Sequence, residues 1–233
     1  MLKVNDLCSG YGKVQILNGA SIEVGKGEIV SIIGRNGVGK STFVKTLIGI
    51  LPVKSGTILF RDGCDISKWP AYKRAVSGIA YVPQGHGVFP DLTVQENLKI
   101  GALINKKERE EAYDRIYDYF PRLAERRSQK AGTMSGGEQA MLSIGRVLVN
   151  KPEIILLDEP SEGVQPNIVY KMGEIIEQIS SDLGLTVLMI EQHLGLIQQV
   201  SQRAYVMDKG MIIADLTKEQ IADDSYVSHF LSV

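Results

Sequence analysis

Near its N-terminus the sequence reads EIVSIIGRNGVGKST, from Glu28 to Thr42. The first part, Glu28 to Ile33, is mostly apolar and β-branched, which predicts a buried strand. Gly34 to Ser41 then matches the pattern G-x-x-x-x-G-K-[ST], and helical spacing follows from Ser41 to Ile50. A strand, a glycine-rich loop and a helix in this order predict a loop that binds the phosphates of a nucleotide.

Each part of this loop has a physical role in holding a phosphate. Glycines let the backbone wrap around the anion with its N–H groups pointing inward, and the following helix adds the positive end of its dipole. Lys40 is predicted to place a charge on the β- and γ-phosphates, and Ser41 to place its hydroxyl on Mg²⁺. The expected ligands are therefore a nucleoside triphosphate and Mg²⁺. The predicted nucleotide-binding residues here are Gly34, Arg35, Asn36, Gly37, Val38, Gly39, Lys40, Ser41 and Thr42. The alternative is a glycine-rich turn that binds nothing.

A second motif follows an apolar run, Ile154 to Leu157, which ends in two carboxylates. The first, Asp158, is predicted to hold Mg²⁺ directly or through water. The second, Glu159, is predicted to polarise the attacking water as a general base. Taken alone, the pair could equally be an acidic strand end that faces solvent. The phosphate loop in the same chain favours the catalytic interpretation.

Short apolar runs alternate with helical stretches along much of the chain. Further strands are predicted at Thr57–Phe60, Ile79–Val82, Ile154–Leu157 and Thr186–Ile190, and a helix at Asn167–Ser180. Continuous apolar strands separated by helices indicate a parallel sheet with right-handed crossovers. The sequence therefore predicts an α/β fold, a phosphate-loop core with a mostly parallel sheet.

The segment from about 86 to 150 differs from this core. It is charged and aromatic, with helical spacing over Lys106–Phe120, and it predicts a mostly helical subdomain inserted into a single domain that spans 1–233. The tail from Ala204 predicts a β-hairpin that turns at Lys209-Gly210. A short helix is expected after Thr217, with Gln220 in capping-box position.

Charge and hydropathy indicate which kinds of partner to expect. The chain has 233 residues, of which 26 are basic and 27 acidic, so no excess positive charge is available for a nucleic-acid backbone, and no nucleic-acid partner is expected. The longest apolar runs are strand-sized and too short to span a membrane. Any membrane role is therefore expected to come through a partner protein.

A third motif, Met134-Ser135-Gly136-Gly137-Glu138, lies shortly before the acidic pair. The three motifs together, in this order and spacing, resemble the ABC ATPase family, and the resemblance covers essentially the whole chain. The family usually has Leu and Gln where this chain has Met134 and Glu138. The resemblance implies the ABC ATPase fold, with an N-terminal antiparallel β part and an inserted helical subdomain.

In the family, this signature motif binds the γ-phosphate of ATP held by a second subunit, so the resemblance implies that Ser135, Gly136, Gly137 and Glu138 act across a head-to-tail dimer. Ser135 and Glu138 also match a capping box, and a plain helix start is the alternative. Both interpretations can hold at once, because a capped helix still presents free N–H groups to an anion.

Two further positions carry family roles by resemblance. Tyr11, within Gly10-Tyr11-Gly12, resembles the aromatic residue that stacks on adenine; the alternative is an ordinary loop tyrosine. Gln84, within Pro83-Gln84, resembles the glutamine that reaches Mg²⁺ and the attacking water. It also opens the helical segment, so it is expected to couple nucleotide state to a membrane partner.

Two departures from the family pattern affect the site. Gln165 stands where the family usually has Asp, so contacts across a dimer are expected to differ there. The family's switch histidine stands two residues after its last strand residue, and counting from Ile190 puts Gln192 in that position, with His193 one residue later. We favour Gln192 as the equivalent and keep His193 as its rival. A glutamine could hydrogen-bond the γ-phosphate but could not carry a proton charge.

A narrower resemblance concerns the transported solute. The sequences of residues 34–39, 88–94 and 158–166 resemble those of the second ATPase subunit of branched-chain amino acid and urea importers. The resemblance slightly favours the urea importers. This resemblance implies a second ATPase subunit, different or identical, two integral-membrane permeases and, indirectly, a solute-binding protein. It also implies a peripheral location on the cytoplasmic face of the plasma (inner) membrane.

Two other classes remain as alternatives. A soluble ABC ATPase of translation or DNA repair would usually carry two cassettes or a long coiled coil, and this chain has neither. A phosphate-loop kinase would need an acceptor site and would have no reason to keep Ser135-Gly136-Gly137. The function predicted from sequence is therefore an ATP-hydrolysing subunit of an importer.

Overall fold

The computed structural model describes residues 1–104 and 110–231. The strands, in chain order, are β1 Leu2–Tyr11, β2 Val14–Val24, β3 Ile29–Ile33, β4 Ser55–Phe60, β5 Cys64–Asp65, β6 Ile79–Val82, β7 Ile154–Asp158, β8 Thr186–Ile190, β9 Arg203–Asp208 and β10 Met211–Thr217. The helices are α1 Lys40–Leu47, α2 Ala71–Val76, α3 Val94–Ala102, α4 Glu110–Tyr119, α5 Pro121–Glu125, α6 Gly136–Leu148, α7 Pro166–Leu183, α8 Leu194–Val200, α9 Lys218–Ile221 and α10 Asp224–Leu231.

The larger sheet has six strands in the order β10-β9-β3-β8-β7-β6. All neighbours from β9 to β6 pair in parallel, and β10 pairs antiparallel with β9. Every residue of β3, β7 and β8 is buried, as expected for strands covered on both faces. The predicted mostly parallel α/β core is confirmed.

The smaller sheet is antiparallel, with strand order β2-β1-β4-β5. Its buried face packs with the apolar side of α1, and the shared core includes Leu17, Phe43, Val44 and Ile58. The helix that follows the phosphate loop is therefore held between the two sheets. This arrangement confirms the N-terminal antiparallel β part that the family resemblance implied.

Between β6 and β7 the described residues form the helices α3 to α6 and a single 3-10 turn, Ala131–Thr133. Leu98, Ile116 and Leu123 of this segment pack into one core with α6, β7 and α7. The predicted subdomain of 86–150 falls on this segment. The first part of the predicted helix Lys106–Phe120, residues 106–109, lies outside the described residues.

Most predicted elements agree with the structure to within a few residues. The hairpin that turns at Lys209-Gly210 is confirmed, and so is the capping box in which Gln220 and Thr217 bond reciprocally. The first helix ends at Leu47 rather than Ile50, because Gly49 has a φ of 81°, a left-handed conformation that ends a helix.

Within residues 1–104 and 110–231, none of the helices combines the length and the apolar character that crossing a bilayer requires.

Candidate active site

Loops that follow four neighbouring parallel strands meet at one edge of the larger sheet. They follow β3, β8, β7 and β6, and carry the phosphate loop, Gln192, the acidic pair and Gln84 respectively. Ligands of open α/β sheets bind at this carboxyl edge. A cleft of about 310 Å³ opens there, lined by Ile16, Asn36, Gly37, Gly39, Lys40, Ser41, Thr42, Gln84 and Glu159.

The phosphate loop wraps tightly between β3 and α1. Gly39 has a φ of 114°, and a Cβ there would come within 3.3 Å of both Ile16 and Leu17, so the loop needs glycine at this position. Lys40 is buried, and its Nζ donates to the carbonyl oxygens of Gly34 and Arg35, both at 2.7 Å. The ammonium group therefore links both residues at the start of the loop to the start of α1.

The charge of Lys40 sits among carboxylates. Burial lowers the pKa of Lys40, while the nearby carboxylates of Glu159, Asp158 and Glu191 oppose that shift. These three carboxylates therefore help to keep the lysine cationic, as binding to a phosphate requires.

Asp158 ends β7 and is only 1% exposed. Its Oδ1 accepts from Ser41 Oγ at 3.3 Å and its Oδ2 accepts from Tyr81 Oη at 3.2 Å. Burial raises the pKa of Asp158, opposed chiefly by these two hydrogen bonds. The carboxylate is thus held against the hydroxyl at the start of α1.

The pairing of Ser41 with Asp158 suits Mg²⁺, which prefers oxygen ligands. The part of the chain that the structure describes contains no cluster of three or more His, Cys, Asp or Glu side chains that could hold a metal. Two protein oxygens at the mouth of a phosphate loop fit an ion that takes its remaining ligands from water and phosphate. The residues present therefore fit Mg²⁺ bound together with a nucleotide.

Glu159 points into the cleft from a strained backbone, with a φ of 50° that side-chain-bearing residues rarely adopt. Its Oε1 accepts from Gln192 Nε2 at 2.6 Å and its Oε2 accepts from Gln84 Nε2 at 3.3 Å. Burial raises the pKa of Glu159, while the bond from Gln192 and the charge of Lys40 lower it. Two loops therefore orient this carboxylate toward the phosphate loop.

The structure separates the two candidates for the switch position. Gln192 donates to Glu159 and also to Asn36 Oδ1 at 2.8 Å, so it connects the acidic pair to the phosphate loop. His193 is exposed and caps α8, where its Nδ1 accepts from the backbone N–H of Leu196 at 3.2 Å. The geometry puts Gln192 in the site and leaves His193 at a helix start.

Tyr11 ends β1 with 49% of its surface exposed, while the cleft wall on that side is formed by Ile16 of β2. The predicted stacking of Tyr11 on adenine stays a prediction. The aliphatic Ile16 was missed from sequence, because a single isoleucine in an alternating strand has no distinguishing pattern.

Two polar residues of the site were also missed. Tyr81 bonds Asp158 from the adjacent strand β6. Glu191 is 2% exposed and accepts backbone N–H groups of Ser161, Gln192 and His193 at 3.3, 2.6 and 2.8 Å. A carboxylate directly after a buried strand was the available signal for Glu191, since Asp158 was found by the same pattern.

The signature residues lie outside this cleft, at the start of α6. Ser135 and Glu138 form the predicted capping box. A Cβ on Gly136 would lie 3.1 Å from the carbonyl oxygen of Gly163, and one on Gly137 would lie 2.5 Å from Ile168 Cγ2. The two glycines therefore let α6 approach the loop that follows the acidic pair, where Gln165 is the N-cap residue of α7.

Comparison with known proteins gives a consistent result. The family model described as "ABC transporter" matches residues 17–162. The high-affinity branched-chain amino acid transport ATP-binding protein BraG of Pseudomonas aeruginosa is 45% identical over 91% of each chain. The lipopolysaccharide export system ATP-binding protein LptB of Escherichia coli is 34% identical over 97% of this chain and 94% of its own.

Solved structures agree. An ATP-binding cassette of an ABC transporter superposes with a TM-score of 0.88 at 29% identity, over 100% of this chain and 99% of that one. A structure described as the ADP conformation of an ATP-binding cassette has a TM-score of 0.85 at 30% identity, with the same coverage.

Proposed function

Since this chain belongs to the ABC transporter family and is one of its ATPases, we propose that it drives the uptake of branched-chain amino acids or of a related small polar solute such as urea. The observation that supports ATP hydrolysis is that Lys40 and Glu159 line one cleft, with Gln192 hydrogen-bonded to Glu159. A cation for phosphate, a carboxylate for water and an amide that orients the carboxylate are what ATP hydrolysis requires.

The proposed chemistry begins at the phosphate loop. Lys40 exchanges its bonds to the loop carbonyls for the β- and γ-phosphate oxygens, while the loop N–H groups hold the β-phosphate. Mg²⁺, when bound, would neutralise developing negative charge, with Ser41, Asp158 and Gln84 as its protein ligands. Most of the catalysis is positioning and charge stabilisation rather than covalent chemistry.

Glu159 is the proposed general base. Its raised pKa makes it a better proton acceptor than an ordinary glutamate, and Gln192 and Gln84 hold its two oxygens. Water that lies between this carboxylate and the γ-phosphate would lose its proton to Glu159 as it attacks. Gln192 is proposed to hydrogen-bond the γ-phosphate through its side-chain amide, which is the role of the switch residue.

A second subunit is proposed to complete the site. The start of α6, with Ser135, Gly136, Gly137 and Glu138, lies away from the cleft of its own chain, so these residues are proposed to close over nucleotide held by a partner. Free N–H groups at a capped helix N-terminus suit a terminal phosphate. The partner is proposed to be a different ATPase subunit, with an identical one as the alternative.

A separate groove of about 620 Å³ is the proposed docking surface for a permease. It lies between α2 on one side and α3 and α6 on the other. Val76, Ile50 and Ile104 on its wall are 69%, 59% and 50% exposed, an apolar patch of the kind that marks a protein interface. Arg146 Nη1 and Asn150 Oδ1, also on the wall, are buried without a hydrogen-bond partner in the described part of the chain.

The groove supports a mechanical link between permease and nucleotide. It borders Phe89 and Tyr81, which flank Gln84 in sequence, so a helix docked there would move with the loop that reaches the cleft. We place the protein on the cytoplasmic face of the membrane, bound to two permeases, with a solute-binding protein acting on the far side. The segment 86–150 is proposed to be the subdomain that follows the permease.

The solute assignment follows the relatives. The 45% identical relative is described as acting in amino acid transport, and the 34% identical one in lipopolysaccharide export. The larger identity supports uptake of a small polar solute, and urea belongs to the same proposal. Export of a lipid is the competing outcome.

ATP turnover by the chain purified with its companion subunits tests the chemistry. Lys40→Ala is expected to lose ATP binding or turnover. Glu159→Gln is expected to keep binding MgATP, to stall hydrolysis and to stabilise a closed dimer. Normal turnover in Glu159→Gln would remove the assignment of the base.

Transport by the same complex in liposomes tests the direction and the solute. ATP-dependent accumulation of labelled leucine or labelled urea, lost with Lys40→Ala, is the expected result. A complex that moves neither solute but extracts lipid would replace uptake with export.

A further inference from the structure

The start of α6 carries the carboxylate of Glu138 in its first turn. Glu138 Oε2 accepts from the backbone N–H of Ser135 at 3.0 Å and from Ser135 Oγ at 3.0 Å. Glu138 N donates back to Ser135 Oγ at 3.4 Å. The Glu138 carboxylate thus lies within one hydrogen bond of the hydroxyl that is proposed to meet the partner's nucleotide.

This carboxylate opposes the binding of a phosphate in two ways. A serine hydroxyl has a single proton to donate, and an ionised carboxylate only accepts, so Glu138 competes with the phosphate for the proton of Ser135. Like charges a few ångströms apart also repel, and the repulsion is strong where a closed interface excludes water. A neighbouring cation that engages Glu138 would offset the repulsion and weaken the hold of the carboxylate on the Ser135 proton.

Arg126 supplies that cation. It follows α5, and its Nε lies 3.1 Å from Glu138 Oε1, the carboxylate oxygen that Ser135 does not use. Its Nη1 donates to Gln129 Oε1 at 2.9 Å, and Gln129 in turn donates to Thr133 Oγ1 at 2.9 Å. The guanidinium is therefore fixed both to the capping box and to the loop that leads into it.

We propose that Arg126 is a positioning residue of the phosphate-binding site at the α6 N-terminus. It neutralises Glu138 and holds it in the capping box, so that Ser135 and the α6 N-terminus can take up the terminal phosphate of a nucleotide bound to the partner subunit. This inference rests on the proposed function of α6. If the inference is right, Arg126 matters for ATP turnover only when residue 138 carries a negative charge.

The dependence is tested with a double-mutant cycle in the full chain, purified with its companion subunits. The variants are Arg126→Ala, Glu138→Gln and the double variant, each assayed for ATP turnover over a range of MgATP concentrations. A glutamine at 138 can accept from the Ser135 backbone N–H and donate to its hydroxyl, which leaves the hydroxyl proton for the phosphate. Arg122→Ala is the matched control, because Arg122 lies on the short helix that Arg126 follows but pairs with exposed Glu125.

Arg126→Ala is expected to lower kcat/KM by about tenfold or more, and Arg122→Ala by less than about twofold. Glu138→Gln is the reference background, and the double variant is expected to stay within about twofold of it. The proposal would be overturned if Arg126→Ala lowered kcat/KM by the same factor in the Glu138→Gln background as in the wild type, since the charge of Glu138 would then be irrelevant.

Binding of MgATP to the isolated chain separates this role from a general loss of structure. That binding uses the phosphate loop of the same chain, so all four variants are expected to match the wild type in it and in melting temperature. If Arg126→Ala fails to fold, Arg126→Met, which is neutral and keeps an aliphatic stem, replaces it, and a loss of turnover rescued by Glu138→Gln is again expected. Failure of the proposed function itself would look different, because wild-type protein would show no turnover that Lys40→Ala abolishes.

Discussion

Gln192 donates a hydrogen bond from its Nε2 to Glu159 Oε1 over 2.6 Å, and the same amide nitrogen lies 2.8 Å from Asn36 Oδ1. One neutral side chain therefore ties the proposed base to the phosphate loop. The loop that carries it is fixed by Glu191, whose buried carboxylate accepts the backbone N–H groups of Gln192 and of His193. The position of the base thus depends on a residue from a different strand end.

Gln192 and His193 are expected to behave differently when truncated. Gln192→Ala removes the orienting bond to Glu159 and should lower kcat by about tenfold to a hundredfold, with MgATP binding retained. His193→Ala removes a helix cap and should cost about 1 kcal/mol of stability, with kcat close to wild type. ATP turnover and thermal unfolding of both variants measure this. A loss of turnover confined to His193→Ala would reverse the assignment.

The pH profile of turnover should report Glu159. The base works only when ionised, and burial raises its pKa above the ordinary value of 4.5, so activity should fall at a higher pH than an unperturbed glutamate would give. Gln192 lowers this pKa by hydrogen bonding to the carboxylate. In Gln192→Ala the acid limb of the residual activity should therefore move to still higher pH. An acid limb that moves down, or stays in place, would contradict the contact.

The ionised Asp158 side chain is expected to lower the stability of the folded chain at neutral pH. Its pKa is raised by burial, so the folded chain binds this proton more tightly than the unfolded chain does, and the resulting stabilisation is lost as pH rises through the raised pKa. Asp158→Asn, which is neutral throughout, should therefore melt at a higher temperature than the wild type at neutral pH without nucleotide. The rise in melting temperature that MgATP gives the wild type should be lost in Asp158→Asn, because the variant lacks the carboxylate that is proposed to bind Mg²⁺. A lower melting temperature at neutral pH would show that the hydrogen bonds from Tyr81 and Ser41, together with nearby lysine charges, outweigh burial.

Arg74 should matter to the fold far more than its position on the groove wall suggests. Only 2% exposed, it donates to the carbonyl oxygens of Thr46, Leu47, Ser67 and Trp69 at 2.7 to 3.0 Å, and so closes the C-terminal end of α1.

Arg74→Met should cost about 3–5 kcal/mol in chemical unfolding, because buried carbonyls lose their donors. Arg74→Lys should recover only part of the loss, since an ammonium cannot span these carbonyls. Arg61→Met is the comparison: that guanidinium pairs with Glu153 in a half-exposed setting, and its loss should cost under about 1 kcal/mol.

Gly137 is expected to be required for packing as well as for phosphate binding. A Cβ there would lie 2.5 Å from Ile168 Cγ2, so Gly137→Ala should destabilise the chain by about 1–3 kcal/mol. In an Ile168→Ala background the clashing methyl group is absent, so Gly137→Ala should cost less stability there than it does in the wild type. Chemical unfolding of the two single variants and the double variant checks this, and strictly additive losses would argue against the contact.

Much of this could be predicted because it is local in sequence. The phosphate loop, the strand that ends in Asp158 and Glu159, and the capping boxes of Ser135 and Thr217 each lie in a few consecutive residues whose types determine the backbone hydrogen bonds and charges they can form. The buried parallel strands were readable because both of their faces are apolar. The end of α1 was misjudged because apolar spacing continued past Gly49, where the backbone turns.

What the sequence by itself determined is therefore an α/β core with a phosphate loop, an acidic pair and a signature helix. Only the tertiary structure decided that Tyr81 and Glu191 belong to the site, that Gln192 rather than His193 reaches Glu159, and that Arg126 meets Glu138. The physical reason is that strand periodicity shows which residues are buried but not which strands are neighbours. The order β3-β8-β7-β6 brings these loop ends together, and side-chain directions beyond a strand end are set by packing.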